Sequence, residues 1–184
     1  MEENENVSVY GSAIKTGLMI GLCFVMLLVL MYIIDVDLLA TPWLPVGALL
    51  IIMVTIVIFG VKFRNQNGGY LSYGKAFLYC IVVFASATLL STVFNILHFT
   101  VIDPDLVSYI GDINTENTIE RLRSRGRSEA GLNSQYELIR QRNYDQLGPK
   151  WFLIRYFILL LIYAVFTLLT TLIVKRSKPI EDIY

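Results

Sequence analysis

The sequence predicts an all-α integral membrane protein with four transmembrane helices and an amphipathic helical segment outside the membrane between the third and fourth helices. Of the 184 residues, 55% are hydrophobic and 16% are charged, whereas about a quarter of the residues in a soluble domain are charged. Four apolar stretches approach or exceed the ~20 residues that a helix needs to cross about 30 Å of hydrocarbon. The long polar stretch lies between the last two of them.

The first two stretches predict a helical hairpin, with spans over residues 12–34 and 44–61. The connection contains Asp35 and Asp37 but neither lysine nor arginine, and it ends in the sequence TPWLP. Proline suits a first helical turn, and tryptophan suits the interface between membrane and water. The connection is therefore expected to be short and to lie at a membrane surface.

Small residues recur at a spacing of four in the first span: Ala13, Gly17 and Gly21. Such a ridge allows the backbone of another helix to approach closely. Two interpretations remain open, packing against another helix of the same chain or against a second copy of the chain.

The connection over residues 62–75 is basic and rich in glycine. Lys62, Arg64 and Lys75 flank the sequence NGGYLSYG, and three more basic residues, Lys175, Arg176 and Lys178, follow the fourth span. The positive-inside rule places these segments in the cytoplasm, and four spans then place both termini there. The glycines could cradle a phosphate, but no strand flanks them, so their predicted role is to reverse the chain.

The third and fourth spans, predicted over residues 76–99 and 151–174, each carry a row of polar side chains. The row in the third span consists of Thr88, Ser91, Thr92, Asn95 and His98, and the row in the fourth consists of Tyr156, Tyr163, Thr167 and Thr170 or Thr171. Polar groups in lipid turn toward other helices. We expect the two rows to pack together, with a hydrated path along the third span as the alternative.

The segment over residues 100–150 predicts two helices on the periplasmic side. Asp103 suits an N-cap and Pro104 suits a first helical position. A second amphipathic helix is predicted around Leu132 and Tyr136 and ends at Gly148. We expect the segment to lie on the membrane surface or on the ends of the spans.

Arg155 enters the fourth span one turn after Trp151, where its charge must reach the interface or find a partner. Asp103, Asp35 and Asp37 are predicted at the same membrane level. An ion pair between Arg155 and Asp103 is one hypothesis, and extension of the side chain to the headgroups is the other.

The order of these elements resembles a bacterial membrane family catalogued as domain of unknown function 4199. The specific motifs are GGYLSYG followed by Ala76-Phe77, and the sequence Ile102-Asp103-Pro104-Asp105. Tyr73 stands where phenylalanine often precedes the glycine in this family. The resemblance covers nearly the whole chain and implies a four-span protein of the bacterial inner membrane with no established activity.

No nucleophile motif, metal motif or phosphate loop is present in the sequence. Cys23 and Cys80 lie in apolar runs and are interpreted as packing residues, and His98 is interpreted as an interface residue. We therefore expect no enzyme activity, no cofactor and no nucleic-acid partner. The predicted function is that of an interaction or accessory subunit, with the bilayer and either a protein partner or a second copy as its contacts. A small transporter or channel component is the alternative.

Overall fold

Four helices of the described residues are long and apolar enough to cross a membrane, as the sequence predicts. They are α1 (Val9–Ile34), α2 (Leu44–Gln66), α3 (Tyr73–Leu97) and α6 (Pro149–Val174), and α3 continues as a π-helical turn over His98–Ile102. The structure is a computed structural model that describes residues 8–177. The two terminal segments, which include Lys178, lie outside the described residues. The prediction that both chain ends are cytoplasmic falls on these segments.

Two further helices lie between α3 and α6: α4 (Leu106–Ser124) and α5 (Glu129–Asp145). Gly126 permits the turn between them because its φ of +84° is unfavourable for other residues. Ser128 then caps α5 by accepting a hydrogen bond from the Gly131 N–H at 3.3 Å. The predicted all-α fold is confirmed, and an antiparallel bridge between Leu71 and Arg176 is the only strand-like pairing within residues 8–177.

The helices continue beyond the apolar stretches from which they were predicted. α2 runs to Gln66 rather than to residue 61, so Lys62 and Arg64 lie on its last turns. α3 begins at Tyr73 rather than at residue 76. Hydropathy marks the length of chain that lipid can cover, whereas helical hydrogen bonding can continue into water.

The predicted N-cap at Asp103 is wrong. The N–H of Asp103 donates to the His98 carbonyl at 2.9 Å and closes the π-helical turn, and α4 begins later, at Leu106. The Asp103 carboxylate accepts a hydrogen bond from the Tyr32 hydroxyl instead. The Asp103 side chain, which the sequence predicted to cap α4, therefore binds a residue of α1.

The described residues fall into two compact units. The first comprises the described residues up to Val25, then Pro45–Ser91, and the chain from Phe157 onward. Segments of α1, α2, α3 and α6 share its apolar core. Two stacked ring pairs occupy that core: Phe84 on Tyr163, with centroids 3.7 Å apart, and Phe63 on Tyr79, at 4.4 Å.

The second unit comprises Met26–Leu44 and Thr92–Tyr156. Its core consists of buried residues from the connection after α1, the π-helical turn, α4, the chain just before α6 and the first turn of α6. In chain order these residues are Ala40, Phe99, Leu106, Ile110, Leu147 and Phe152. The hairpin of α4 and α5 is therefore attached to an apolar core rather than suspended on a flexible linker.

The ridge of small residues on α1 lies against α3 of the same chain. A Cβ atom added at Gly17 would lie 2.6 Å from the Val83 carbonyl oxygen, and one added at Gly21 would lie 2.8 Å from the Ala87 carbonyl oxygen. Both glycines are buried by this contact. The close approach of the two backbones therefore depends on hydrogen in place of a side chain.

We predict that Gly17→Ala destabilises the protein even though alanine is the better helix former. The new methyl group would overlap the backbone of α3, and overpacking of this kind costs about 1–3 kcal/mol. Thermal unfolding in detergent, followed by circular dichroism, measures the effect. Gly47→Ala on α2 is the matched control, because its Cβ would meet nothing within 4 Å. An unfolding temperature for Gly17→Ala equal to that of this control would contradict the proposed contact.

Candidate functional site

The polar row on α3 begins with hydroxyl groups that bind their own helix. Thr88 Oγ1 donates to the Phe84 carbonyl at 2.7 Å, and Ser91 Oγ donates to the Ala87 carbonyl at 3.2 Å. Thr92 and Asn95 are half-buried further along the helix. A hydroxyl bonded in this way needs no water or ligand when it lies in lipid.

The polar row on α6 behaves similarly. The hydroxyls of Thr167, Thr170 and Thr171 are buried and donate to carbonyl groups one turn earlier. In the first unit, the ring of Tyr163 from this row stacks on Phe84 of α3, a residue outside the polar row. The sequence pattern did not indicate this aromatic contact, and the packing of the two polar rows against each other stays a prediction.

His98, the last member of the α3 row, lies in an aromatic environment in the second unit. It is 3% exposed, and its ring meets the edge of Tyr32 at a centroid distance of 4.7 Å, with Phe94 and Phe99 nearby. Tyr32 also donates its hydroxyl to Asp103 Oδ2 at 2.8 Å. Tyr32 therefore contacts both predicted residues, but its contact with His98 is a ring contact and does not form a proton relay.

A second bond between tyrosine and aspartate holds the connection after α1. The Tyr109 hydroxyl on α4 donates to Asp37 Oδ1 at 2.7 Å, and Asp35 accepts from the Asp37 N–H at 3.0 Å. The hydrogen bond to Asp37, together with the negative charge of that carboxylate, raises the pKa of Tyr109. Together, the two tyrosine bonds connect α1 to the chain after α3, and α4 to the acidic connection.

The predicted ion pair between Arg155 and Asp103 is not formed. Arg155 Nη2 donates to the Gln146 carbonyl at 3.4 Å, and its guanidinium carbon lies 5.5 Å from the centroid of the Phe152 ring. Asp103 accepts a hydrogen bond from Tyr32 at Oδ2. A shared membrane level was therefore insufficient to pair the two charges.

A polar cluster of three side chains joins α4 to α5 and was not predicted from the sequence. Asp112 Oδ1 accepts hydrogen bonds from the Tyr144 hydroxyl at 2.7 Å and from Arg140 Nε at 3.0 Å, and Arg140 also donates to the Tyr144 hydroxyl. Gly111 allows the contact, since a Cβ there would lie 2.6 Å from the Tyr144 ring. The Tyr144 bond, followed by that of Arg140, lowers the pKa of Asp112.

The described residues contain no group of three histidine, cysteine, aspartate or glutamate side chains that could hold a metal ion. The polar clusters at hand join helices to each other. Their geometry supports a structural role for each of them.

In the comparison with known families, residues 15–176 match the family described as protein of unknown function (DUF4199). The chain belongs to the DUF4199 family. No curated protein and no solved structure shows significant similarity to it. The resemblance drawn from the glycine turn and the Ile102-Asp103-Pro104-Asp105 motif is thereby confirmed. The family has no known function, and this DUF4199 chain has, within its described residues, four helices long and apolar enough to cross a membrane.

We predict that acid weakens the α4–α5 contact of this DUF4199 protein. Because folding lowers the pKa of Asp112, its contribution to stability is present above the unfolded pKa, near 3.9, and is lost as pH falls through the lower folded pKa. Hydrogen–deuterium exchange of α5, corrected for intrinsic rates, should show less protection at pH 3 than at pH 6.

Asp112→Asn provides the comparison for this experiment. Its α5 should exchange faster than wild type at pH 6, and the difference should shrink toward pH 3 because wild-type Asp112 is then increasingly protonated. A constant difference across this range would show that the charge of Asp112 does not stabilise the hairpin.

Proposed function

We propose that this protein is a non-enzymatic subunit of a membrane assembly and that it binds a partner protein through the hairpin of α4 and α5. The proposal rests on the hydrogen bonds that join the two helices of the hairpin. Asp112, Arg140 and Tyr144 connect the two helices on one side, and Asn143 Nδ2 donates to Thr115 Oγ1 at 3.1 Å. A rigid element outside the membrane helices can bind a partner with a small loss of conformational entropy.

The exposed face of α5 has the chemistry of a binding surface. Leu138 is 70% exposed although it lies outside the four membrane-spanning helices, and Arg142 lies one turn later on the same face. An exposed leucine is ordinary by itself. Its position beside an arginine on a braced helix favours a protein contact, since arginine is enriched in interfaces.

The absence of enzyme and transport activity is part of this proposal. Several hydroxyls in the rows on α3 and α6 bond to carbonyls of their own helix, as at Thr88, Ser91 and Thr167. A hydrated path requires polar groups that are available to water or to a solute. We therefore favour an interaction subunit over a transporter or channel component.

We further propose that the protein lies in the bacterial inner membrane, with the ends of the chain in the cytoplasm and the α4–α5 hairpin in the periplasm. Basic residues support this orientation. Lys62 and Arg64 lie at the end of α2, Lys75 lies at the start of α3, and Lys175 and Arg176 follow α6. The connection after α1 carries Asp35 and Asp37 and has no basic residue.

Single cysteines introduced after Cys23→Ala and Cys80→Ala test the orientation. We expect a membrane-impermeant maleimide to label Ser124→Cys in cells with a permeabilised outer membrane. Gln66→Cys should be labelled only after the inner membrane is broken. Both positions are exposed, so access to the reagent depends on the side of the membrane. The reverse pattern of labelling would reject this orientation.

The binding surface is tested by cross-linking in native membranes followed by mass spectrometry. We expect a defined partner to cross-link to the wild-type protein and to be lost, by about tenfold or more, from Leu138→Ser/Arg142→Ser. The control Asn133→Ala/Glu137→Ala changes two other exposed positions, also one turn apart on α5, and should retain the partner. Equal capture by both double variants would contradict a surface centred on Leu138.

A further inference from the structure

A cavity of about 720 Å³ lies in the first unit, where the basic residues cluster. Its lining includes Lys75 and Arg176 as the charged side chains and Asn67, Tyr70, Ser72 and Ser177 as polar side chains. No carboxylate of the described residues lines it. Two cations and several hydrogen-bonding side chains face one volume, and neither charged residue has a salt-bridge partner within residues 8–177.

The backbone of Arg176 is paired with Leu71 at this cavity, and its side chain is exposed. Its N–H donates to the Leu71 carbonyl at 3.0 Å, and its carbonyl accepts from the Leu71 N–H at 2.9 Å. The guanidinium carbon lies 5.8 Å from the centroid of the Tyr70 ring. Backbone pairing and ring contact together limit the positions that the guanidinium can occupy.

The turn before Leu71 depends on two positions whose backbone conformation favours glycine. Gly68 and Gly69 have φ values of +77° and +79°, and the Gly69 N–H donates to the Arg64 carbonyl at 3.0 Å. The turn brings Tyr70, Ser72 and Lys75 to the lining shared with Arg176. The motif that sequence analysis interpreted as a chain reversal thus also builds one wall of the cavity.

We propose that this cavity binds a phosphate group. Arginine and lysine both bind phosphate, arginine by a planar fork and lysine as a point charge, and hydroxyl and amide groups complete such sites. The cavity also adjoins the start of α3, whose first N–H groups lack acceptors within the helix and add to the positive potential. The phosphate can belong to an anionic lipid headgroup or to a free solute, since Tyr70 has the ring type common at membrane interfaces.

Two probes distinguish these sources with the full-length protein. Inorganic phosphate is titrated calorimetrically into protein held in phosphatidylcholine nanodiscs. Separately, mass spectrometry measures how much phosphatidylglycerol stays bound after purification in an uncharged detergent. We expect Lys75→Gln/Arg176→Gln to weaken one or both signals by about tenfold or more, because two charge-assisted contacts are lost.

Lys62→Gln/Lys175→Gln is the matched control. It removes the same net charge from the same basic residue cluster, but neither residue lines the cavity. Binding of inorganic phosphate that survives in this control, without retention of phosphatidylglycerol, assigns the site to a free phosphate. Retention of phosphatidylglycerol without binding of inorganic phosphate assigns it to a lipid headgroup.

Two results would overturn the proposal: neither probe binds, or the control variant loses as much binding as the lining variant. Far-UV circular dichroism checks that the variants fold. If the lining variant does not fold, Ser177→Asp replaces it, because this exposed residue would place a carboxylate on the lining. Undiminished binding by a folded Ser177→Asp protein would also reject the phosphate site. None of these outcomes depends on the partner proposed for α5.

Discussion

Hydrocarbon offers no hydrogen bonds, so the backbone polar groups that the chain carries into a membrane must find their partners within the protein. The helices satisfy their backbones by this means, and the hydroxyls of Thr88, Ser91 and Thr167 follow the same rule by bonding to carbonyls of their own helices. Polar side chains in a span are therefore weak evidence for a pore or an active site. The exposed surfaces and the ends of the helices are where polar groups remain available for other molecules.

Because lipid is as apolar as the helix surfaces, it also removes most of the hydrophobic force between helices. Helix association therefore depends on packing. In the first unit, α1 approaches α3 through Gly17 and Gly21, which have no side chain to separate the backbones. Large rings fill the remaining space, as Phe84 and Tyr163 do by stacking. Small residues at one contact and aromatic residues at another are complementary solutions to close packing, because each removes voids that would forfeit dispersion energy.

The sequence predicted the four spans because apolar length is a local property of the chain. It could not predict which side chains meet across long separations. Tyr32 and Asp103 lie 71 positions apart, and the Asp103 carboxylate binds Tyr32 where the sequence predicted an N-cap and a pair with Arg155. The Asp112–Tyr144 bond was missed for the same reason. Hydropathy gives the membrane level of a residue, but the position around the helix and the packing of neighbours determine its partner.

This distinction between level and position also applies to the basic residues. Lys62 and Arg176 contribute equally to the count of charges that orients a membrane protein, yet their surroundings differ. The Lys62 ammonium lies 5.9 Å from the centroid of Phe59, whereas Arg176 is paired to Leu71 through its backbone and lines the cavity. A cation held in place loses less entropy when it binds an anion. Charge number can therefore orient the chain, whereas the backbone pairing of Arg176 and its place on the cavity lining make one part of the basic cluster a candidate binding site.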